Sequence, residues 1–415
     1  MKRRQLIKAL KNVVGVKIMD NIIFLFLGGF CGILTGLLPG IHPNTLIPLS
    51  FVFLPFMGNN NFASFLIGMV ITHYYINYIP SAFIGAPDDE TAVSVVPLHN
   101  LTKKGKGFEG IFLCGLGGFI GILLSFVVLL IIISLNVDIN QLFILFKPFI
   151  PYILILLVLL TVFFSDNKFW SIVIIILSSL LGYTVLYLKP PLENILTPLF
   201  TGLFAVPLLI ENLKTNKICN QIITYPNINL SIIKSTIVGV IGGFFRIFLP
   251  AIGGAQINFF LGKLINEEDI ENFLTSQGSI VMSNEVFSLL ALLLIGTGRS
   301  GVAMTIKNLN INLDLTFIFQ ILLISIFGFI MLILLSKILL NIISKINYCI
   351  ISIFLLIFCL IVVILLGYFS GHMFFFLLVF IVSIIIGMLC VKTKTNMSYL
   401  MCVLVLPTVL YYLIR

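Results

Sequence analysis

Gly110 to Ser134 runs for 25 residues without a charge, and Cys349 to Gly367 runs for 19. Segments this long and apolar cross a ~30 Å hydrocarbon core as helices. In lipid the helix also satisfies every backbone donor and acceptor within the segment itself. Composition agrees: 60% of the 415 residues are hydrophobic and 9% charged, where soluble chains carry about 25% charged. Alternation at period two is absent, which argues against a transmembrane barrel. The expected fold is an all-α polytopic membrane protein with roughly 10–14 membrane segments.

The first twenty residues carry Lys2, Arg3, Arg4, Lys8, Lys11 and Lys17, with no acid before Asp20. So long a basic stretch, with no small-x-small site after it, does not read as a signal peptide. The positive-inside rule places it in the cytoplasm, at the start of a multi-pass plasma-membrane protein. The net charge of +9 sits there and in short loops, so it reads as topology and not as nucleic-acid binding. Cysteines at 31, 114, 219, 349, 359, 390 and 402 form no Cys-x-x-Cys or Cys/His cluster. Most lie in apolar spans as small hydrophobes, and neither a metal site nor another cofactor is expected.

One pattern occurs twice. Glycines at 28, 32 and 36 lead into a Pro39-Gly40 break, and 211 residues later Gly239 and Gly243 lead to Pro250, Gly253 and Gly254. The same offset pairs Asn61 with Asn272, Phe62 with Phe273 and Ile84-Gly85 with Ile295-Gly296. Identities of Gly, Pro and Asn at one ungapped offset are informative where shared Ile, Leu or Val are not. The chain therefore divides into a basic segment 1–20, a first transmembrane half 21–210 with core repeat 22–100, a polar linker 211–230, and a second half 231–415 with core repeat 231–306. Paired breaks in duplicated apolar segments point to a transporter's midplane site. Lys103, Lys104 and Lys106 follow the first core whereas only Lys307 follows the second, which favours inverted repeats with the first loop cytoplasmic. Inversion requires an odd number of crossings between the cores, so Leu196–Leu209, with Pro198 and Pro207, is expected not to cross fully.

Polar residues at membrane depth carry the functional reading. Irregular backbone is tolerated there only where protein buries it or it lines a cavity. His42 and Asn44 border the first break, and Gly253, Gly254, Gln256 and Asn258 the second. Asp88, Asp89 and Glu90 follow Gly85-Ala-Pro, and the equivalent stretch carries Thr297, Arg299 and Ser300. Intramembrane ionisable groups are expensive and point to function, and Arg246 and Glu285, beside Asn284, stand out. Arg246 presents a fork suited to carboxylate or phosphate; neutralising Glu285 or Asp88 is an equal alternative. His73 reads as a hydrogen-bonded packing residue more readily than as a proton site.

These motifs carry a resemblance. The stretch Gly28 to Thr45, reading G-x₃-G-x₃-G-x₂-PG-x₂-P-x-T, resembles the signature of the large membrane subunit, TctA type, of tripartite tricarboxylate transporters. Gly85-Ala-Pro-Asp-Asp-Glu-Thr with Gly105-Lys-Gly-Phe-Glu-Gly, and later Pro250-Ala-Ile-Gly-Gly-Ala and Ile295-Gly-Thr-Gly-Arg-Ser, resemble further stretches of that family. The likeness covers roughly 22–110 and 231–307 and is similar to a divergent archaeal-type branch. Pro87-Asp-Asp-Glu and Gly298-Arg depart from the family where specificity would be set.

The resemblance implies a secondary active transporter, not an enzyme, moving a small organic anion such as a carboxylate. It would couple to a Na⁺ or H⁺ gradient by alternating access. It further implies a small membrane subunit and an extracytoplasmic binding protein as partners, within a lipid bilayer; a homodimer stays open. On that basis Gly40, His42, Asn44, Thr45, Gly253, Gly254, Gln256, Thr297 and Ser300 would hold the substrate, with Arg246 or Arg299 as counter-charge. Asp88, Asp89, Glu90, Asn284 and Glu285 would hold the coupling ion. The alternative is a translocase of a polyprenyl-phosphate lipid carrier, whose single phosphate either arginine would bind. No HExxH, GxSxG or Walker motif supports an enzyme.

Overall fold

The computed structural model describes residues 21–38, 47, 50–85, 90–91, 94–135, 137–187, 192, 194–213, 220–249, 257–258, 261, 269–295, 300–311, 315–343, 345 and 347–414. Among the described residues there is no strand, and nine helices are long and apolar enough to cross a membrane. The protein is an all-α polytopic membrane protein. The first half contains α1 (Asn21–Gly36), α2 (Asn59–Ile76, extended by a further turn of helix at Tyr78–Phe83), the short α3 (Val95–Lys103), α4 (Gly107–Ser134), α5 (Gln141–Phe163), α6 (Lys168–Tyr187) and α7 (Leu196–Asn212). The second contains α8 (Leu230–Phe248), α9 (Ile270–Ile295), α10 (Gly301–Asn308), α11 (Leu315–Ile343), α12 (Tyr348–Phe369), α13 (Met373–Lys392) and α14 (Cys402–Ile414). Asn167, Asn229, Ser300 and Asn347 cap helix starts by accepting from backbone N–H groups, donors that a first turn otherwise leaves orphaned.

The helices α2 and α9 lie at the centre. Every residue of α2 from Phe62 to Ile76 is buried. Along α9, Thr275, Ser276, Gln277, Ser279, Ser283, Glu285 and Ser288 are buried, as expected of a helix too polar to face lipid. The outer helices instead expose large apolar side chains such as Leu130, Leu156, Ile357 and Phe374.

Without a hydrophobic drive between helices in lipid, close packing of small residues holds them together. A Cβ on Gly28 would overlap the Phe65 carbonyl, one on Gly32 would meet Met69 and His73, and one on Gly36 would meet His73 and Ile76. The contacts advance together, so α1 and α2 run parallel, and α2 begins at the end of the bundle where α1 began. Gly239 lies on Ser276 and Ser279, and Gly243 on Ser283 and Asn284, so α8 and α9 are parallel as well. Shifting Gly28/Phe65 and Gly32/His73 by 211 gives Gly239/Ser276 and Gly243/Asn284.

The two central helices run in opposite directions. Asn59, starting α2, donates from Nδ2 to the Leu309 carbonyl at 3.4 Å. At its far end Phe83 meets Gly107, the start of α4. At that same far end α9 begins, with Glu271 within electrostatic reach of Lys106 and Glu109 and Leu274 against Gly110. Midway, Tyr75 and Met282 meet at Gly118.

The far end is basic, with Lys103, Lys104, Lys106 and Lys337. Lys337 stands 5.7 Å from the Phe108 ring and 5.5 Å from that of Tyr225. Residues 220–229, read from the sequence as part of a polar linker, form a clasp across this end. Ile222 N–H donates to the Gly105 carbonyl at 2.9 Å. Gln221 accepts from Gly107 N–H at 3.0 Å and donates to the Thr102 carbonyl at 2.7 Å. Thr224 donates to Glu109 at 2.7 Å, and Tyr225 sits edge-on to Phe108 and Phe112.

The segment 196–209 lies within α7, a helix shorter than the nine candidate spans, which runs beside α13 with Gly202 on Ser383 and Gly387 on the Leu203 carbonyl. A π turn at Thr201–Ala205 lies between its prolines, Pro198 and Pro207. One expectation meets a different geometry: Asn21 lies at the end opposite the Lys103–Lys106 loop, whereas the sequence reading puts the N-terminal segment and that loop on one side. Residues 1–20 lie outside the described residues.

Candidate functional site

Arg246 sits near the end of α8, just before the second break, and Glu90 just beyond the Gly85 turn of the first half. Their side chains meet fork to fork: Nη1 donates to Oε2 at 3.0 Å and Nη2 to Oε1 at 2.8 Å. Each side chain is 11% exposed. Two parallel charge-assisted bonds in one plane are the geometry a guanidinium makes with a carboxylate.

Three elements fix Glu90. Gln277 on α9 donates from Nε2 to the Glu90 carbonyl at 3.1 Å. Ser81 donates to Thr91 Oγ1 at 2.8 Å, tying the next residue to the extension of α2. Arg246 supplies the third hold. Upstream, Gly85 adopts φ +69°, a left-handed conformation that costs a side-chain-bearing residue roughly 1–2 kcal/mol. Asn212 closes on that turn, donating to the Ile84 carbonyl at 2.5 Å. On the other side Asn258 donates to the Phe273 carbonyl at 3.0 Å and to Gln277 Oε1 at 3.2 Å, and accepts from Ser276. A polar chain thus runs from Asn258 through Gln277 to Glu90 and Arg246.

Glu285 lies further along α9 and is 1% exposed. Its Oε1 accepts from Ser300 Oγ at 2.8 Å, while Oε2 has no hydrogen-bond partner. Ser300 is locked in place because its N–H donates to Ser288 Oγ and its Oγ caps α10 at Ala303. Both Glu90 and Arg246 are within electrostatic reach of Glu285. The described cluster therefore holds one guanidinium and two carboxyl groups. An ionised oxygen buried without a partner is costly. Among the described residues no three His, Cys, Asp or Glu side chains stand together as metal ligands.

A model of the tripartite tricarboxylate transporter TctA family matches residues 22–402. The chain belongs to that family. It is also 48% identical over 397 residues to the uncharacterized protein MJ1079 of Methanocaldococcus jannaschii, covering 95% of this chain and all of that one. No solved structure matches it.

In this TctA-family chain the sequence-derived candidates fall into two sets. Arg246, Glu90, Glu285, Ser300 and Asn284 are described, and the first two, assigned separate roles from sequence, form one pair. From sequence Arg246 was read either as an anion-binding group or as the counter-charge of Glu285 or Asp88; it pairs with Glu90 and lies within electrostatic reach of Glu285, and Asp88 lies outside the described residues. Glu285 engages Ser300, and Asn284 is half-buried with its backbone against Gly243. Gly40, His42, Asn44, Thr45, Asp88, Asp89, Gly253, Gly254, Gln256, Thr297 and Arg299 lie outside the described residues. His73 bonds through Nδ1 with Thr35 Oγ1 at 3.1 Å, joining α2 to α1. Gln277 was not singled out from sequence. Its signal was positional: 277, 281, 285 and 288 share one face of a helix, so Gln277 and Ser288 lie in line with Glu285.

Proposed function

We propose that this TctA-family chain is a secondary carrier for a small organic carboxylate, driven by a Na⁺ or H⁺ gradient. The Arg246–Glu90 fork carries this reading. It is a bidentate carboxylate-binding geometry between the end of α8 and the segment after the Gly85 turn, and the carboxylate group it holds within this chain favours a carboxylate as the transported anion. Glu285, held on one oxygen and open on the other, is the proposed coupling group, with Ser300 orienting it.

The architecture we infer is a pair of inverted repeats, 22–100 and 231–306, within halves 21–210 and 231–415. The recurrence of glycine contacts at the 211 offset and the antiparallel run of α2 and α9 support it. Alternating access would then rock one core against the other around the buried cluster. We assign the basic end to the cytoplasm by the positive-inside rule, which puts Asn21 at the outer face of a plasma-membrane protein. A small membrane subunit and an extracytoplasmic binding protein are the proposed partners, as the family name indicates.

Reconstitution tests the reading. Proteoliposomes holding the wild-type chain should take up a labelled carboxylate, from a panel including succinate and citrate, only under an imposed Na⁺ or H⁺ gradient. Arg246→Ala should abolish uptake and Glu285→Gln should uncouple it. No gradient-dependent uptake of any carboxylate, together with specific binding of a polyprenyl phosphate, would overturn it in favour of a lipid-carrier translocase.

A further inference from the structure

The guanidinium best placed to receive a substrate carboxylate already holds one. Its two terminal nitrogens are both engaged by Glu90, at 3.0 and 2.8 Å. The pair is nine-tenths shielded from solvent, so the bonds are not diluted by water as surface pairs are. Glu90 comes from the other half of the chain, on a segment that leaves α2 through a left-handed glycine turn. Its carbonyl and its neighbour Thr91 are pinned separately to Gln277 and Ser81. The carboxylate is thus free to swing from Arg246 without the segment losing its other holds.

Resting on the carrier reading, we propose that Glu90 is an internal stand-in for the substrate: its carboxylate fills the Arg246 fork in the empty protein and is displaced by the carboxylate of the transported anion. The site then recognises an oxygen pair in one plane at the spacing Glu90 presents, which assigns the substrate a carboxylate at the recognised end. A substrate must outcompete a tethered rival at high effective concentration, so the wild-type protein binds carboxylates more weakly than the fork alone would.

Equilibrium binding to the detergent-purified protein tests this without requiring transport. Labelled succinate, citrate and pyruvate are titrated into wild type, Glu90→Gln, Glu90→Asp and Glu90→Gln/Arg246→Gln. The Gln variant removes the competing charge, and the Asp variant shortens the reach should Gln fail to yield a monodisperse protein. At least one carboxylate should bind either single variant about tenfold or more tightly than wild type, the scale of one charge-assisted bond. The gain should vanish in the double variant. Equal or weaker binding of every probe to the single variants overturns the proposal even if the wild type transports. An equal gain for inorganic phosphate overturns the carboxylate assignment. Uptake by wild-type proteoliposomes separately decides the carrier reading.

Discussion

Arg246 and Glu90, 156 residues apart in the chain, form one bidentate ion pair that joins the end of α8 in the second half to the segment after the Gly85 turn in the first. Removing Arg246 leaves the Glu90 carboxylate buried without its ion-pair partner, at a cost of about 3–5 kcal/mol. Arg246→Met should therefore lower the unfolding midpoint of the purified protein sharply. Glu90→Leu/Arg246→Met should recover most of the loss, since an apolar pair of similar volume is often neutral. Thermal unfolding of the four proteins of the cycle reads the coupling directly; additive single effects would deny the pair an energetic role.

Glycines 28 and 239 have no room for a side chain. A Cβ would overlap the Phe65 carbonyl in the first case, and in the second would press on Ser276 and Ser279. Backbone on one side of the contact cannot move aside as a flexible side chain can. Gly28→Val and Gly239→Val should each cost several-fold in folded yield from membranes, judged by size-exclusion profile, whereas Gly371→Ala, whose Cβ meets nothing within 4 Å, should fall near its backbone cost alone. That cost is about 1–2 kcal/mol for a left-handed position.

His99 sets a pH dependence at the basic end. Burial pushes its pKa down to about 4; the bond with the Ala82 carbonyl opposes the shift and the charge of Lys103 adds to it. The unfolded chain takes up a proton near pH 6.5 and the folded one only near 4. Its contribution to stability is therefore complete above about pH 6.5 and is lost as pH falls toward 4. His99→Gln should flatten the decline in unfolding temperature between pH 7 and 5 relative to wild type. A wild-type slope left intact in the variant would assign the decline to other groups.

Orientation is open to labelling. In a cysteine-free background, an impermeant maleimide added to intact cells should modify Asn59→Cys and spare Lys104→Cys. Permeabilised cells should label both. The reverse pattern would turn the molecule over and place the lysine-rich end outside.

Much of this architecture was legible in the chain. Uncharged runs such as Gly110–Ser134 dictated membrane helices because no other backbone form hides its polar groups in lipid. The Gly28 and Gly239 series marked where backbones would touch, and α2 and α9 begin at Asn59 and Ile270, again 211 residues apart. The ionisable candidates Arg246, Glu90 and Glu285 stood out because burying charge in a membrane is expensive. Their pairing did not. Nothing in local sequence distinguishes Glu90 from Asp88 or Glu285 as the partner of Arg246, because the choice depends on how the Gly85 turn is held by Asn212, Ser81 and Gln277.

The sequence by itself determined the class of fold, the places where helices break and the residues too polar for lipid, since each follows from transfer energies and backbone hydrogen bonding along a single segment. Only the tertiary structure decided that α1 runs parallel to α2, that α2 opposes α9, that the linker clasps the basic end and that Arg246 is already occupied by a carboxylate. Those depend on contacts between segments far apart in the chain, where small residues and paired charges select one arrangement that no segment encodes alone.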